Sequence, residues 1–256
     1  MHVLAAETLL PVDLRLGVAL VVLLVAAAGV AAVFRLAPDA SFGRAWEIVA
    51  AGVRAAAQLA AVSLVIGWAV GHTAALVGFL CLMFGVATRT AGRRITRNAT
   101  WWWAALPIAV PVAPVVAGLV LGGLLPVPGI AIVPVTGILM GGALTATVLA
   151  GRRGLDELAQ RHGEVEAGLA LGLLEREARL EVARGAASEA LVPALDQTRT
   201  VGLVTLPGAF VGMLLGGASP VLAGAVQVFV LIALLAVEAL AVALTLELIA
   251  RRRIHR

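Results

Sequence analysis

The sequence predicts an all-α, polytopic membrane helix bundle with about seven transmembrane helices and a cytoplasmic helical insert. Three observations predict this fold class. Hydrophobic residues make up 61% of the 256 residues and charged residues 13%, against roughly 25% charged residues in an ordinary soluble domain. Several long stretches contain no Arg, Asp or Glu. The arginines cluster on alternate loops between the predicted spans, as expected for loops on one side of a membrane.

The uncharged stretches give the number of spans. They are residues 16–34, 55–88, 98–151 and 200–237. Because a spanning helix needs about 20 mainly apolar residues, the first stretch fits one span and each of the others fits two. Turn-forming sequences at 71–73, 126–129 and 216–220 mark where each pair would fold back.

The spans divide the chain into three parts. Residues 1–150 would form transmembrane helices 1–5, residues 151–199 the cytoplasmic insert, and residues 200–256 helices 6 and 7 with a basic cytoplasmic tail. All 19 basic residues are arginines, and the positive-inside rule places the C-terminus in the cytoplasm. An odd number of spans then places the N-terminus outside. Since the arginines serve as topological anchors, we expect no nucleic-acid partner.

The insert differs in composition from the rest of the chain. It contains 7 Arg and 9 Asp or Glu, which is nearly half of all charged residues. Two interpretations of its apolar stripe stay open: the side chains pack against neighbouring helices, or they contact a partner. Gly172 is placed to end one helix so that the next begins at Glu175, which predicts a short exposed elbow. The stripe comprises Leu155, Leu158, Val165, Leu169, Leu173 and Leu174.

Two sets of motifs resemble a known family. Glu166-Ala167-Gly168, followed after three residues by Gly172, is similar to the E-A-A-x-x-x-G element of bacterial ABC-transporter permeases. A wider set of motifs, strongest between about residues 134 and 227, resembles the FetB-type iron-export ABC permease family. This wider set comprises Arg54, Gln58 and Gly67; Ile132-Val133-Pro134 with residues 137–141; Leu206-Pro207-Gly208 with Gly212; residues 215–220; and Gln227.

The resemblance implies the membrane subunit of an ABC exporter in the bacterial plasma membrane. Its cargo would be iron, another metal or a small solute, and a separate cytoplasmic ATPase subunit would drive it. One elbow per chain supplies half of a two-motor machine, so a homodimer is expected. The chain departs from the family pattern at Gly142, where asparagine is usual, and at residues 209–213. The residues implied to couple to the ATPase are Glu164, Glu166, Ala167, Gly168, Gly172 and Glu175.

The sequence does not support an enzyme. A Walker A loop needs a lysine to reach the nucleotide phosphates, and these 256 residues contain none. ATP hydrolysis would therefore belong to another chain. The four histidines lack zinc-ligand spacing, so we expect no metal site and no cofactor.

Polar and sulfur-bearing residues within the spans are the candidates for a substrate pathway. Glu238 is the carboxylate with long apolar runs on both sides, and it would share a helix face with Gln227. Either it is functional or it pairs with an arginine near the interface. A proton-coupled secondary carrier that titrates Glu238 is the main alternative to the ABC subunit, and a scaffold or channel is a third. The pathway candidates are Gln58, Met140, Thr145, Thr147, Met213, Gln227 and Glu238.

Glycines and prolines in spans five and six predict close helix packing and hinges. Small residues four apart allow two backbones to approach closely, and proline allows a kink. We expect motion of the elbow to rearrange these two spans about such points. The packing and hinge candidates are Gly137, Gly141, Pro207, Gly208, Gly212 and Gly216.

Overall fold

The computed structural model describes residues 13–36, 43–123 and 132–256. In these ranges the fold is all-α, as predicted, and contains no strand. The α-helices are α1 Leu14–Val33, α2 Gly43–Val70, α3 Thr73–Ile95, α4 Ala105–Leu121, α5 Ile132–Gln160, α6 His162–Ala170, α7 Glu175–Ser188, α8 Val192–Thr200, α9 Gly208–Leu215 and α10 Pro220–Ala250. Short 3-10 helices at Ala99–Ala104 and Glu189–Leu191 precede α4 and α8.

Six helices of the described residues are long and apolar enough to cross a membrane, so the count of seven is not confirmed. They are α1, Gly43–Leu64 of α2, α3, Ala99–Leu121, α5 and α10. The segment predicted to form span six contains only α9, whose 8 residues extend about 12 Å, against about 30 Å of hydrocarbon. Turns occur where predicted between α2 and α3 and between α9 and α10. The predicted turn at 126–129 lies outside the described residues.

The structure divides into two compact units, one up to Ala69 and one from Val70 onward. In the first unit, the Asp13 side chain caps α1 by accepting a hydrogen bond from the Leu16 backbone N–H at 3.0 Å. Gly52 of α2 allows Leu24 of α1 to approach, because a methyl group at Gly52 would lie 2.8 Å from its Cδ1. Most apolar side chains of the two helices are exposed, which suits helices that face lipid.

The core of the second unit lies among α3, α4, α5 and α10. Helices α5 and α10 run in the same direction: Gly142 faces Leu234 and Glu238, and twelve residues later Gly154 lies beside Ile249. Small residues make this packing close, since a methyl group at Gly142 would lie 2.4 Å from Leu234 Cδ1.

The parallel course of α5 and α10 requires a return path for the chain. Residues 189–219, here called the return segment, provide it through α8, an isolated bridge between Val201 and Thr205, and α9. The segment ends at Ser219, whose hydroxyl accepts a hydrogen bond from the Leu222 N–H at 3.3 Å and so begins α10. If α5 and α10 both cross a bilayer, the return segment must cross it as well.

Helix α5 continues through the predicted boundary at residues 150 and 151. It ends at Gln160, so the predicted insert begins as an extension of a spanning helix. Helix α7 packs against the ends of α5 and α10 through small buried side chains at Ala178, Ala183 and Ala187. A second apolar cluster fills this junction, and it includes Leu155, Leu158, Val182, Leu248 and Ile249.

Candidate functional site

Helices α6 and α7 meet in a turn at residues 171–174, here called the elbow. Gly172 has φ of +92°, which is a left-handed conformation that favours glycine. Its N–H donates to the Leu169 carbonyl at 3.0 Å, and the Leu173 N–H donates to the Gly168 carbonyl at 3.0 Å. These two bonds form a Schellman motif that ends α6. Helix α7 begins at Glu175, and the predicted elbow geometry is confirmed.

Two local features hold the elbow closed. The Leu174 N–H donates to the Glu177 carboxylate at 3.1 Å, which satisfies a free donor at the start of α7. Gly168 faces α7 directly, because a methyl group there would lie 3.1 Å from Ala178 Cβ. Gly168 is one of the residues implied by the resemblance to couple to an ATPase. It therefore also lies where α6 and α7 contact each other.

The apolar stripe of the insert separates into a packed part and an exposed part. Leu155, Leu158 and Val165 are buried in the junction with α10. Around the elbow, in contrast, Leu169 is 43% exposed, Leu171 86%, Leu173 41% and Leu174 68%. The packing interpretation therefore describes Leu155, Leu158 and Val165, whereas a partner contact at the exposed half of the stripe stays a prediction. Leu171 was missed because it lies off the helical stripe, although an apolar residue beside a helix-ending glycine is a usable signal.

The predicted coupling residues surround this exposed apolar patch. Glu164, Glu166 and Ala167 are exposed on α6, and Glu175 is exposed at the start of α7. The Arg161 guanidinium donates hydrogen bonds to Glu164 and to Glu157, which lowers the pKa of the Glu164 carboxyl and raises that of Arg161. Glu166 lies 3.4 Å from His162, and Glu175 lies 3.4 Å from Arg252, so ion pairs border the exposed leucines.

A charge clamp fixes the elbow to the end of α10. The Arg176 guanidinium donates two hydrogen bonds of 2.7 Å to the two oxygens of Glu247. Arg251 also pairs with Glu247, and Arg252 lies 3.4 Å from Glu175. The hydrogen bonds to Glu247 raise the pKa of the Arg176 guanidinium above its ordinary value. No sequence pattern indicated the clamp, because its two halves are about seventy residues apart.

Buried polar groups lie along α5 and α10. Glu238 is 8% exposed and faces Gly142, and among the described residues it has no hydrogen-bond or ion-pair partner. The alternative pairing with an arginine is therefore not found there. The side-chain carbonyl oxygen of Gln227 and the hydroxyl of Thr147 are also buried, and neither has a hydrogen-bond partner among the described residues. Gln227 and Glu238 both face the packed side of α10, as predicted.

The other pathway candidates are scattered. The hydroxyl of the exposed Thr145 donates a hydrogen bond of 2.9 Å to the backbone carbonyl of Gly141, one turn earlier in α5. Threonines in membrane helices commonly make this bond. Met140 lines a cavity of about 420 Å³ among α3, α4 and α5, in which Thr136 is the one polar side chain. Met213 is half-buried on α9, and Gln58 is exposed on α2 in the other unit. Within the described ranges, no group of three or more His, Cys, Asp or Glu side chains could hold a metal ion.

The packing and hinge candidates behave differently from one another. A methyl group at Gly137 would lie 3.1 Å from Met83 Cε, which is a close contact between α5 and α3. At Gly141, Gly208 and Gly212 a methyl group would meet no atom within 4 Å, so the close approach predicted there is not found among the described residues. On α5 the tight contacts lie at Gly142 and at Gly151, which neighbours Ile95.

The two remaining hinge candidates bound α9. Pro207 is the N-cap of that helix, and Gly216 is its C-cap. Gly217 follows with φ of +88°, and the N–H groups of Gly217 and Ala218 close a second Schellman motif. The ends of α9 are therefore set by the local chain, as the end of α6 is at Gly172.

Comparisons with known proteins identify related chains. The model of an uncharacterised protein family, UPF0014, matches residues 15–254. Protein ALUMINUM SENSITIVE 3 from Arabidopsis thaliana is 36% identical over 150 residues, which cover 58% of this chain and 55% of that protein. UPF0014 membrane protein STAR2 from Oryza sativa subsp. japonica is 33% identical over 190 residues, which cover 72% of this chain and 66% of that protein.

A bacterial relative is more distant. The Probable iron export permease protein FetB from Escherichia coli (strain K12) is 29% identical over 135 residues, covering 53% of this chain and 52% of that protein. The chain thus spans about half to two thirds of the length of these three relatives. No solved structure matches it.

Proposed function

Because the chain belongs to the UPF0014 family of membrane proteins, we propose that it is the membrane-spanning permease subunit of an ABC-type transporter. A separate ATPase subunit would be the motor, since these residues contain no lysine for a Walker A loop. The direction would be export, and the cargo iron, another metal ion or a small solute. The name of the Escherichia coli relative supports a metal cargo.

The observation that carries this proposal is the exposed leucine patch at the elbow. Contiguous apolar side chains on a charged, water-facing segment mark an interaction site. A short helix presenting apolar anchors to a hydrophobic groove is a common docking mode, and the groove would be that of the ATPase.

The clamp and the α7 packing would transmit motion from the elbow. Because α7 contacts both α5 and α10 and is tied to Glu247, displacing the elbow would move the ends of both helices together. Helix α5 is a single element of 29 residues and extends about 43 Å from the insert into the bundle. Access to the cargo would alternate where these helices meet the return segment.

The proposed topology keeps seven crossings. The six candidate helices supply six, and the return segment supplies the seventh as a discontinuous crossing made of α8, the 201–207 loop and α9. Irregular backbone at membrane depth is tolerated where it is covered by protein or lines a wet cavity, and broken helices of this kind form binding sites in transporters. With the C-terminus in the cytoplasm, the N-terminus would lie outside.

A homodimer follows from the count of docking surfaces. One chain presents a single elbow, whereas a machine with two ATPases needs two. Two copies of this chain with two ATPase subunits would form the transporter. The mass of the purified membrane complex tests this stoichiometry.

A second candidate function is a proton-coupled carrier that uses Glu238. The observation in its favour is a carboxylate buried without a partner in the middle of α10. Such a group inside a span is a functional candidate by default. Under this alternative Glu238→Gln would abolish transport driven by a proton gradient, whereas an ATP-driven exporter would keep coupled ATP hydrolysis.

Co-reconstitution with the ATPase tests the proposed function. The chain is expressed with an ABC-type ATP-binding protein from the same organism, both are placed in liposomes, and ATP hydrolysis and cargo movement are measured together. We expect stable co-purification and transport that requires ATP. Transport by the chain alone in response to a proton gradient would contradict the proposal and favour the carrier.

Variants of the elbow separate docking from folding. Leu171→Ser and Leu174→Ser should weaken association with the ATPase by about tenfold or more, because each removes an exposed apolar anchor. Glu181→Ser, at an exposed position on α7 away from the elbow, is the control and should bind normally. Equal binding by all three variants would show that the patch is not the docking surface.

A further inference from the structure

An arginine-lined cavity lies where α3, α5 and the residues after α10 meet. Its volume is about 530 Å³, within the usual range for ligand pockets. The lining residues are Arg93, Arg94, Ile95, Thr96, Arg97, Asn98, Arg152 and Arg256. Five guanidinium groups from three parts of the chain therefore converge on one space.

Close backbone contacts build the walls of this cavity. A methyl group at Gly92 would lie 2.1 Å from the Trp101 carbonyl oxygen, so the chain after α3 turns back directly onto that helix. The Thr96 hydroxyl and the Asn98 side-chain amide both donate to the His255 carbonyl at 2.8 Å. These bonds fix the backbone around the cavity, and the exposed side chains of Arg94, Arg97 and Arg152 project from that fixed backbone.

The charge of the cavity is largely uncompensated. Arg256 pairs with Asp156, and Arg93 donates to the Arg97 carbonyl. Among the described residues, Arg94, Arg97 and Arg152 have no carboxylate partner. Arginines in the last turn of a helix are expected from the helix dipole, which accounts for Arg94 but not for Arg97 or Arg152.

The surroundings place the cavity at the membrane boundary. The three tryptophans that follow α3 belong to the class of residue enriched at membrane interfaces. The Arg93 guanidinium lies 5.4 Å from the centre of the Trp101 ring, and the Arg253 guanidinium lies 5.3 Å from that of Trp103. Basic pockets between transmembrane helices on the cytoplasmic side bind the head groups of anionic lipids.

We propose that this cavity binds the phosphate-bearing head group of an anionic phospholipid. The guanidinium groups of Arg94, Arg97 and Arg152 would hold the phosphate oxygens, because arginine presents several N–H donors in a geometry that matches phosphate. A bound lipid would join the turn after α3 to α5 and to the residues after α10. Lipid binding at this cavity would require neither the cargo nor the ATPase.

Lipid titration of the full chain tests the site. Detergent-purified protein is titrated with dioleoylphosphatidylglycerol and, separately, with dioleoylphosphatidylcholine, and bound lipid is counted by native mass spectrometry. Removing Arg94 and Arg152 together, as Arg94→Gln with Arg152→Gln, should weaken phosphatidylglycerol binding by about twenty-five-fold, at about fivefold for each arginine. Arg94→Lys with Arg152→Lys should restore only part of the binding, because lysine keeps the charge but not the guanidinium geometry.

The matched control removes the same charge outside the cavity. Arg153 is adjacent to Arg152 on α5 but pairs with Glu189 at 3.6 Å, and Arg184 is exposed on α7. Arg153→Gln with Arg184→Gln should leave phosphatidylglycerol binding within about twofold of the parent, since neither guanidinium lines the cavity.

Three results would overturn the proposal. The first is equal lipid binding by the cavity variant and the control, and the second is equal affinity for the anionic and the zwitterionic lipid. The third is displacement of phosphatidylglycerol by inorganic phosphate at a matching concentration, which would assign the cavity to a free phosphate. Unchanged lipid binding with lost ATPase association would instead identify it as part of a protein interface.

Discussion

The end of the second unit formed by α3, α5, α7 and α10, here called the clamped end, contrasts with the return segment. At the clamped end, α7 buries four small apolar side chains and is joined to α10 by ion pairs. In the return segment, α9 buries no residue, and Gly208 and Gly212 face open space. Close packing at the clamped end thus contrasts with loose packing around α9. The proposed mechanism needs this contrast, because a force applied to the packed region would have to move the loose one.

The largest difference should appear when the same glycine substitution is made in both regions. At the clamped end, Gly92→Ala puts a methyl group against backbone, so it should destabilise the protein by about 3 kcal/mol or more. In the return segment, Gly212→Ala meets no atom and should stabilise α9 by up to about 1 kcal/mol. Thermal unfolding midpoints in one detergent provide the measurement. Equal losses would show that the two regions are packed alike.

A second pair of substitutions compares the two Schellman motifs. Gly172→Ala and Gly217→Ala each force alanine into a left-handed conformation, at a local cost of about 1–2 kcal/mol. Only Gly172→Ala should uncouple ATP hydrolysis from transport, because only the elbow is proposed to dock. ATPase and transport assays on the reconstituted complex distinguish the two variants, and uncoupling by Gly217→Ala alone would reverse the assignment.

Breaking the clamp should affect coupling more than folding. Arg176→Gln removes both hydrogen bonds to Glu247 from a solvent-exposed pair, so the thermal midpoint should change little. The ratio of transport to ATP hydrolysis should fall by about fivefold or more, the lower end of typical coupling energies. Arg199→Gln in the return segment breaks an exposed contact with Asp196 and is the control. A parallel loss in both variants would contradict a specific clamp.

The smallest effect should be a pH dependence confined to the elbow side. The pKa of Glu164 is lowered in the folded chain by its hydrogen bond to Arg161, so this stabilisation is present above the ordinary glutamate value of 4.5 and is lost as the pH falls below it. The protection factors of the α6 amides, which correct for the intrinsic pH dependence of hydrogen exchange, should fall in that acid range. Residues 201–219 contain no ionisable side chain and should show no matching change.

Local signals explain what the sequence could predict. The helical content follows from composition, and the elbow follows from Gly172 with Glu175 beyond it. The break in the return segment also had local signals in Gly202, with φ of +84°, and in Pro207. The length of the uncharged stretch 200–237, which is enough for two spans, predicted two continuous helices in spite of these signals. Length and polarity alone cannot distinguish a continuous helix from a loop that bridges the same distance.

Contacts between distant residues explain what the sequence could not predict. The parallel packing of α5 and α10 depends on Gly142 fitting against Leu234, and the clamp depends on Arg176 meeting Glu247. Such pairs have no spacing in the chain that a periodic pattern could reveal. The arginines of the lipid cavity were interpreted as separate topological anchors for the same reason.

The side of the membrane on which the elbow lies tests the central claim most directly. Leu171→Cys is made in a Cys81→Ser background and treated with a membrane-impermeant maleimide, first in intact cells and then in inside-out vesicles. We predict labelling only in the vesicles, and protection there when the ATPase is bound. Labelling of Leu171→Cys in intact cells would place the elbow outside, beyond the reach of any cytoplasmic motor, and would contradict the account.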